Sequence, residues 1–157
     1  MVTTEWLKKT ELLGGLEESQ LSIILSRSSV QSFPEGKTIF HQGEKAYRLY
    51  VLIEGAIVLT VKTGEKMEVM TSTIDKEGSV FGMPSLLEPF LYNVTAMCLK
   101  PSSVLMIEAD HIRKYMEVDA KMGMEIMRKL ASIYFKRLNE VREGVSKLVK
   151  TFKSKVP

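Results

Sequence analysis

The sequence has a single cysteine, Cys98, and two histidines, His41 and His111. One thiol closes no intrachain disulfide and cannot supply the three or four thiolates of an iron–sulfur cluster. Cys98 alternates with Val94 and Ala96 against Thr95, Met97 and Leu99, which makes it a small buried strand residue. Two histidines 70 positions apart do not build the His-rich ligand set of a jelly-roll metalloenzyme. Nor do Ser79, Ser85 and Thr95 have a nearby histidine to activate them, so no enzyme is expected and no metal. Long hydrophobic runs are missing too: nothing approaches the 18 or so apolar residues that span a bilayer. The start, Met1-Val2-Thr3-Thr4-Glu5-Trp6, has no basic n-region or apolar h-region. The expected location is the cytoplasm.

Within 157 residues, 45% hydrophobic and 26% charged, there is enough apolar surface for one domain to bury its own core. The net charge of +3 is unevenly placed: residues 136–157 hold seven cations against Glu140 and Glu143. That tail reads either as a polyanion-binding surface or as a solvated helix face.

Leu7, Leu12, Leu13, Leu16, Leu21, Ile24 and Leu25 recur at helical spacing, interrupted by Gly14-Gly15, so residues 1–29 are expected to form two short helices. From Val30 to Glu108 the pattern changes to some eight short runs rich in Val, Ile, Thr and Tyr. Turns are expected at Pro34-Glu35-Gly36, Gly43, Gly55, Thr63-Gly64, Glu77-Gly78 and Pro101. The fold class is therefore mainly β with α: a two-sheet jelly roll over 30–108, flanked by helices at 1–29 and 109–157, all one domain. Asp110 is the expected N-cap where helical spacing returns.

Ala120, Met124, Met127, Ala131, Tyr134, Leu138, Val141, Val145, Leu148 and Phe152 are spaced alternately four and three residues apart. A roll of this size covers only the first half of such a stripe, so a second copy of the same helix is the expected cover: a homodimer through a parallel coiled coil, with Met124 to Leu148 at the interface. The alternative is a helix that folds back on its own roll and frays, helped by Gly144 in its interior.

The succession Phe33-Pro34-Glu35-Gly36, Gln42-Gly43-Glu44, Tyr50 to Gly55 and Gly78-Ser79-Val80-Phe81-Gly82 resembles the cyclic-nucleotide-binding domain of catabolite-activator and FNR-type regulators. The resemblance extends from about Leu12 to Val145. It implies a ligand pocket inside the roll, beside a strand, a short helical turn and the loop after it. The expected pocket residues are Phe81, Gly82, Met83, Pro84, Ser85, Leu86, Tyr92, Asn93, Val94, Thr95, Val141 and Arg142. A cyclic phosphate withdrawn from water needs backbone N–H groups at a helix start and a bidentate cation. Gly82 and Pro84 suit the first need, with the amides of Ser85 and Leu86 expected to face outward. For the second, Met83 stands where nucleotide-binding members carry the ribose glutamate, and Tyr92 where they carry the phosphate arginine. Arg142 is the one cation expected to be able to re-enter the pocket.

The resemblance thus implies a stand-alone dimeric sensor in which cAMP or cGMP binding is weak or absent and another small ligand is taken. No cofactor is indicated and a cyclic nucleotide is disfavoured. Haem, the other ligand of this superfamily, would need His41 or His111, both expected at surface or capping positions. DNA-binding members continue into a helix-turn-helix, whereas this sequence stops five residues after Phe152, so no DNA binding through such a motif is expected. The alternative is an interaction or scaffold protein that binds no ligand and holds a protein partner with the coiled coil and the basic tail (Lys147, Lys150, Lys153, Lys155).

Overall fold

A computed structural model describes residues 1–64 and 67–155; two residues inside the expected roll and the last two of the expected C-terminal helical segment lie outside them. The chain opens with α1 (Thr4–Lys8), capped by the Thr3 hydroxyl, which accepts from Trp6 N at 3.1 Å. The Gly14-Gly15 break follows, then α2 (Glu18–Ser26). A Cβ on Gly14 would lie 2.7 Å from Lys8 O, so the chain needs glycine to turn this closely over α1.

Six strands come next: β1 (Ser28–Phe33), β2 (Thr38–Phe40), β3 (Arg48–Lys62), β4 (Glu68–Ile74), β5 (Val80–Phe81) and β6 (Thr95–Glu108). All their pairings are antiparallel: β1, β6, β3 and β4 lie side by side, with β2 on β6 and β5 on β3. The eight short runs expected from the sequence are fewer and longer because Gly55 and Pro101 do not end strands. Gly55 lies inside the 15-residue β3 and Pro101 inside the 14-residue β6, and the β3–β6 register slips repeatedly between Leu52 and Ile57. Gly55 has φ +119°, and a Cβ there would sit 2.1 Å from Ser102 Oγ. The Ser102 hydroxyl accepts from Ala56 N at 3.1 Å and donates to Lys100 O at 2.8 Å. The two long strands therefore bend together at a bulge, and one ribbon supplies both layers of a jelly roll.

Because the side chains of β3 alternate, its apolar run feeds two cores. Leu49 and Val51 join Leu105, Ile107, the N-terminal helices and the first half of the last helix. Tyr50, Leu52, Ile57 and Leu59 face the roll interior with Phe40, Phe81, Tyr92, Ala96 and Cys98. Cys98 is 1% exposed, and burial pushes its thiol up from the ordinary value.

Helix α3 (Ala109–Val118) begins after Glu108, which takes the N-cap position; Asp110, expected there, sits in the first turn, its Oδ1 accepting from His111 N. Helix α4 (Ala120–Ser154) is capped by Asp119, which accepts from Met122 N at 3.1 Å and from Gln20 Nε2 at 2.9 Å. These bonds hold the Asp119 carboxyl below its ordinary value, the Gln20 bond contributing most. Only Met122, Ile126, Leu130 and Ile133 of α4 are buried. With 35 residues it is about 52 Å long, and every described residue from Val141 onward is exposed. Met124 (74%), Val145 (54%), Leu148 (63%) and Phe152 (73%) are open to solvent in the single chain.

Candidate functional site: the cavity between roll and helix

Gly82 ends β5 at φ +75°, and a Cβ there would meet Tyr50 Cδ2 at 3.1 Å and Arg48 O at 3.2 Å. Both backbone and space require glycine. It starts a single 3-10 turn, Met83–Leu86, with Pro84 presetting φ. Contrary to expectation, the Ser85 amide is not free for a ligand: it donates to Gly82 O at 3.1 Å. Arg113 on α3 donates to Ser85 O at 2.7 Å and lies 4.2 Å over the Phe90 ring, tying the turn and its following loop to α3.

A cavity of about 690 Å3 separates this turn from α4. Gly82, Met83, Pro84, Asn93, Val94 and Val141 of the expected pocket line it, joined by Tyr134, Leu138, Val145 and Leu148 of the expected dimer seam. The other expected residues lie elsewhere. Phe81 is fully buried in the roll core. Ser85 is enclosed, its hydroxyl without a hydrogen-bond partner among the described residues, and Leu86 faces a separate groove. The Thr95 hydroxyl accepts from Gln42 N at 3.0 Å. Arg142 is exposed and outside the lining, because one residue along a helix turns the side chain by about 100°.

Tyr92 is 5% exposed. Its ring stacks on Phe40 with centroids 3.8 Å apart, and Phe40, Tyr50 and Phe81 stack further inside the roll. Its hydroxyl donates to Arg48 O at 2.7 Å and accepts from Arg48 N at 3.3 Å. Burial, more than any other cause, pushes the Tyr92 phenol far above its ordinary 10.0 and raises that of Tyr50 as well. Nothing of Tyr92 is left to offer an anion.

Arg137 was not expected, although it lies four residues before Val141 and so on the same helix face. It is the single Lys or Arg among the described residues lining the cavity. Its Nη2 donates to Val80 O at 2.7 Å and lies 3.4 Å from Glu11 Oε1, which itself accepts from Val80 N at 2.8 Å. With Glu140 also on the lining, the local charge is compensated. Leu59, Val69, Met83, Val94, Leu138, Val141 and Val145 make the wall mostly apolar; Thr71, Ser72 and Asn93 supply its neutral polar groups. Among the described residues no three of His, Cys, Asp and Glu come together, and no helix is long and apolar enough to cross a membrane.

Residues 30–119 match the family described as cyclic nucleotide-binding domain. The chain belongs to that family. Among curated relatives, it is 23% identical over 147 residues to a CRP-like cAMP-activated global transcriptional regulator of Mycobacterium tuberculosis, covering 94% of this chain and 63% of the relative. It is 30% identical over 129 residues to the cAMP-activated global transcriptional regulator CRP of Pasteurella multocida, covering 82% and 59%. It thus spans about three fifths of the length of these relatives. Among solved structures, a Geobacter metallireducens protein named for cyclic nucleotide binding superposes with a TM-score of 0.79 at 29% identity, over 88% of this chain and 99% of that one. The sensor domain of the transcriptional regulator DNR from Pseudomonas aeruginosa shares the fold, with a TM-score of 0.73 at 22% identity over 87% and 91%. Cyclic nucleotide-binding domains of this type are regulatory or sensory modules, and the cavity described here lies beside the Gly82 turn that carried the resemblance.

Proposed function

We propose that this chain is a dimeric, non-catalytic sensor domain whose cavity takes a small, uncharged and largely apolar molecule, and binds cAMP and cGMP weakly or not at all. The observation that carries this is Tyr92: the residue at the phosphate-arginine position is stacked in the roll core with its hydroxyl bonded twice to the Arg48 backbone. Arg137, the cation on the wall, is already shared between Val80 O and Glu11. A phosphate brought here would lose its water and gain no free cation. Losing one partner of a buried charged pair costs about 2–5 kcal/mol, which is roughly thirtyfold to several-thousandfold in affinity. Met83 in place of the ribose glutamate adds to the deficit. An apolar ligand, by contrast, would bury itself against the side chains that line the wall.

The same helix residues bound the cavity and present the exposed apolar stripe, so an occupant that shifts α4 would alter how two copies pack. That link is the proposed output. The exposure of Val145, Leu148 and Phe152 together with Lys147, Lys150, Lys153 and Lys155 also suits a second function, a scaffold that grips a protein partner without any ligand. Thermal melting against a panel of neutral apolar compounds and cyclic nucleotides separates the two. Binding to the folded state adds about 2.7 kcal/mol at a ligand concentration of 100 Kd. A rise of several degrees with a neutral compound, and none with cAMP, supports the sensor. A flat panel supports the scaffold, and a large rise with cAMP refutes the proposed specificity.

A further inference from the structure

Glu11 belongs to the N-terminal segment, yet its carboxylate reaches a residue of the cavity wall. Its backbone N–H donates to Gly78 O at 3.2 Å, and the neighbouring Leu12 and Leu13 are buried in the helical core. Trp6 Nε1 donates to Glu77 Oε1 at 2.7 Å. A Cβ on Gly78 would lie 3.4 Å from Thr10 Cα, so this stretch rests directly against the residues that lead into β5. Glu11 is thereby fixed in place.

Two donors converge on Glu11 Oε1: Val80 N at 2.8 Å and Arg137 Nη2 at 3.4 Å. A backbone amide beside a guanidinium is a donor set that suits a carboxylate or phosphate oxygen. Val80 is fully buried and opens β5 two residues before Gly82, while Arg137 lines the cavity from α4. The notch between them is thus an oxyanion site that the chain fills with its own side chain. Val80 O, the other acceptor of Arg137 Nη2, carries no charge. Glu140 lines the cavity but forms no ion pair among the described residues. Glu11 is the acid that neutralises Arg137.

We infer that Glu11 sets the charge of the ligand this cavity admits: by filling the notch it withholds Arg137 from anions, and without its side chain the notch takes an external carboxylate or phosphate. The inference rests on the neutral-ligand reading above and deepens it, because it assigns the refusal of anions to one removable group. The side chains of Arg137 and Glu11 are 26% and 34% exposed, so a small anion can reach the notch. Solvent screens the pair for the same reason, which puts the expected gain at the low end for a charge-assisted hydrogen bond, roughly tenfold in affinity.

The test uses the full chain with Glu11→Ala and Glu11→Gln, formate as the probe of the notch and cAMP as the probe of the cavity, at constant ionic strength kept with chloride. Glu11→Ala should melt higher, saturably, as formate replaces chloride. The wild type and Glu11→Gln should not respond, since a side chain still fills the notch. In titration calorimetry Glu11→Ala should bind cAMP roughly tenfold or more tightly than the wild type. Adding Arg137→Ala to Glu11→Ala should abolish both responses; a double variant that keeps them places the anion elsewhere and overturns the inference. Failure of either response in Glu11→Ala overturns it too and leaves the neutral-ligand reading standing. Should the alanine variant not fold, Glu11→Gln decides: it loses the charge but keeps the acceptor for Val80 N, so it should take cAMP more tightly than the wild type, and equal binding overturns the inference. A wild type that already binds cAMP with micromolar affinity overturns both the neutral-ligand reading and the role given to Glu11.

Discussion

In the proposed reading Tyr92 decides what the cavity can take: its phenol turns into the roll, stacks on Phe40 and closes a two-bond clasp on Arg48. Tyr92→Phe keeps the ring and removes the clasp, so it should destabilise the fold by about 1–3 kcal/mol in urea titration. The pH dependence follows from the same burial. The folded-state pKa values of Tyr92 and Tyr50 are raised above 10.0, so their contribution is fully present below pH 10 and is lost as the pH climbs above it toward the folded-state values. Each such group lowers stability by up to about 1.4 kcal/mol per pH unit in that window. Alkaline unfolding followed by tyrosinate absorbance should be shallower in Tyr92→Phe than in the wild type. Gly55→Ala, with φ +119° and Ser102 Oγ 2.1 Å from the new methyl, should cost on the order of 2–4 kcal/mol, visible as a lower urea midpoint. The sequence displays Met83 and Tyr92 openly, but not Arg137. The stripe that set the register of α4 leaves undecided which neighbouring residues turn toward the roll, and Arg142 is one position too far around the helix.

Among the elements, α4 was the most legible. Its apolar stripe runs from Ala120 to Phe152 in the sequence, and the structure has one helix from Ala120 to Ser154. The strands were less so, because a glycine or proline that ends one strand can equally well bend another. Only the pairing of β3 with β6 across Gly55 and Ser102 decides for a bulge. The cap expected at Asp110 was misplaced for a similar reason: Asp110 sits in the first turn of α3, and the aspartate that caps a helix is Asp119, with Gln20 holding it from α2. Asp119→Ala should therefore cost about 1 kcal/mol from the lost cap, measured as a lower urea midpoint. Gly144, exposed on α4 with nothing within 4 Å of an added Cβ, is a site where alanine should stabilise by about 0.5–1 kcal/mol through helix propensity. Because Gly144 also lines the cavity, a higher melting temperature in Gly144→Ala accompanied by weaker ligand binding would mark that wall as functional.

At the scale of the whole molecule, two cores meet along β3: a helical one against α1, α2, α3 and the start of α4, and an aromatic one inside the roll. The cavity lies where the second core ends and α4 continues without burial. This arrangement makes the long helix both a wall of the cavity and an exposed apolar surface, which is how occupancy and association become coupled in the proposed function. Titration calorimetry with cAMP is the decisive measurement, because the proposed specificity rests on the lack of a free cation on the cavity wall. No saturable heat is expected up to millimolar nucleotide. A single site per chain with micromolar affinity, weakened by Arg137→Ala, would contradict it by showing that Arg137 leaves Glu11 to serve the phosphate.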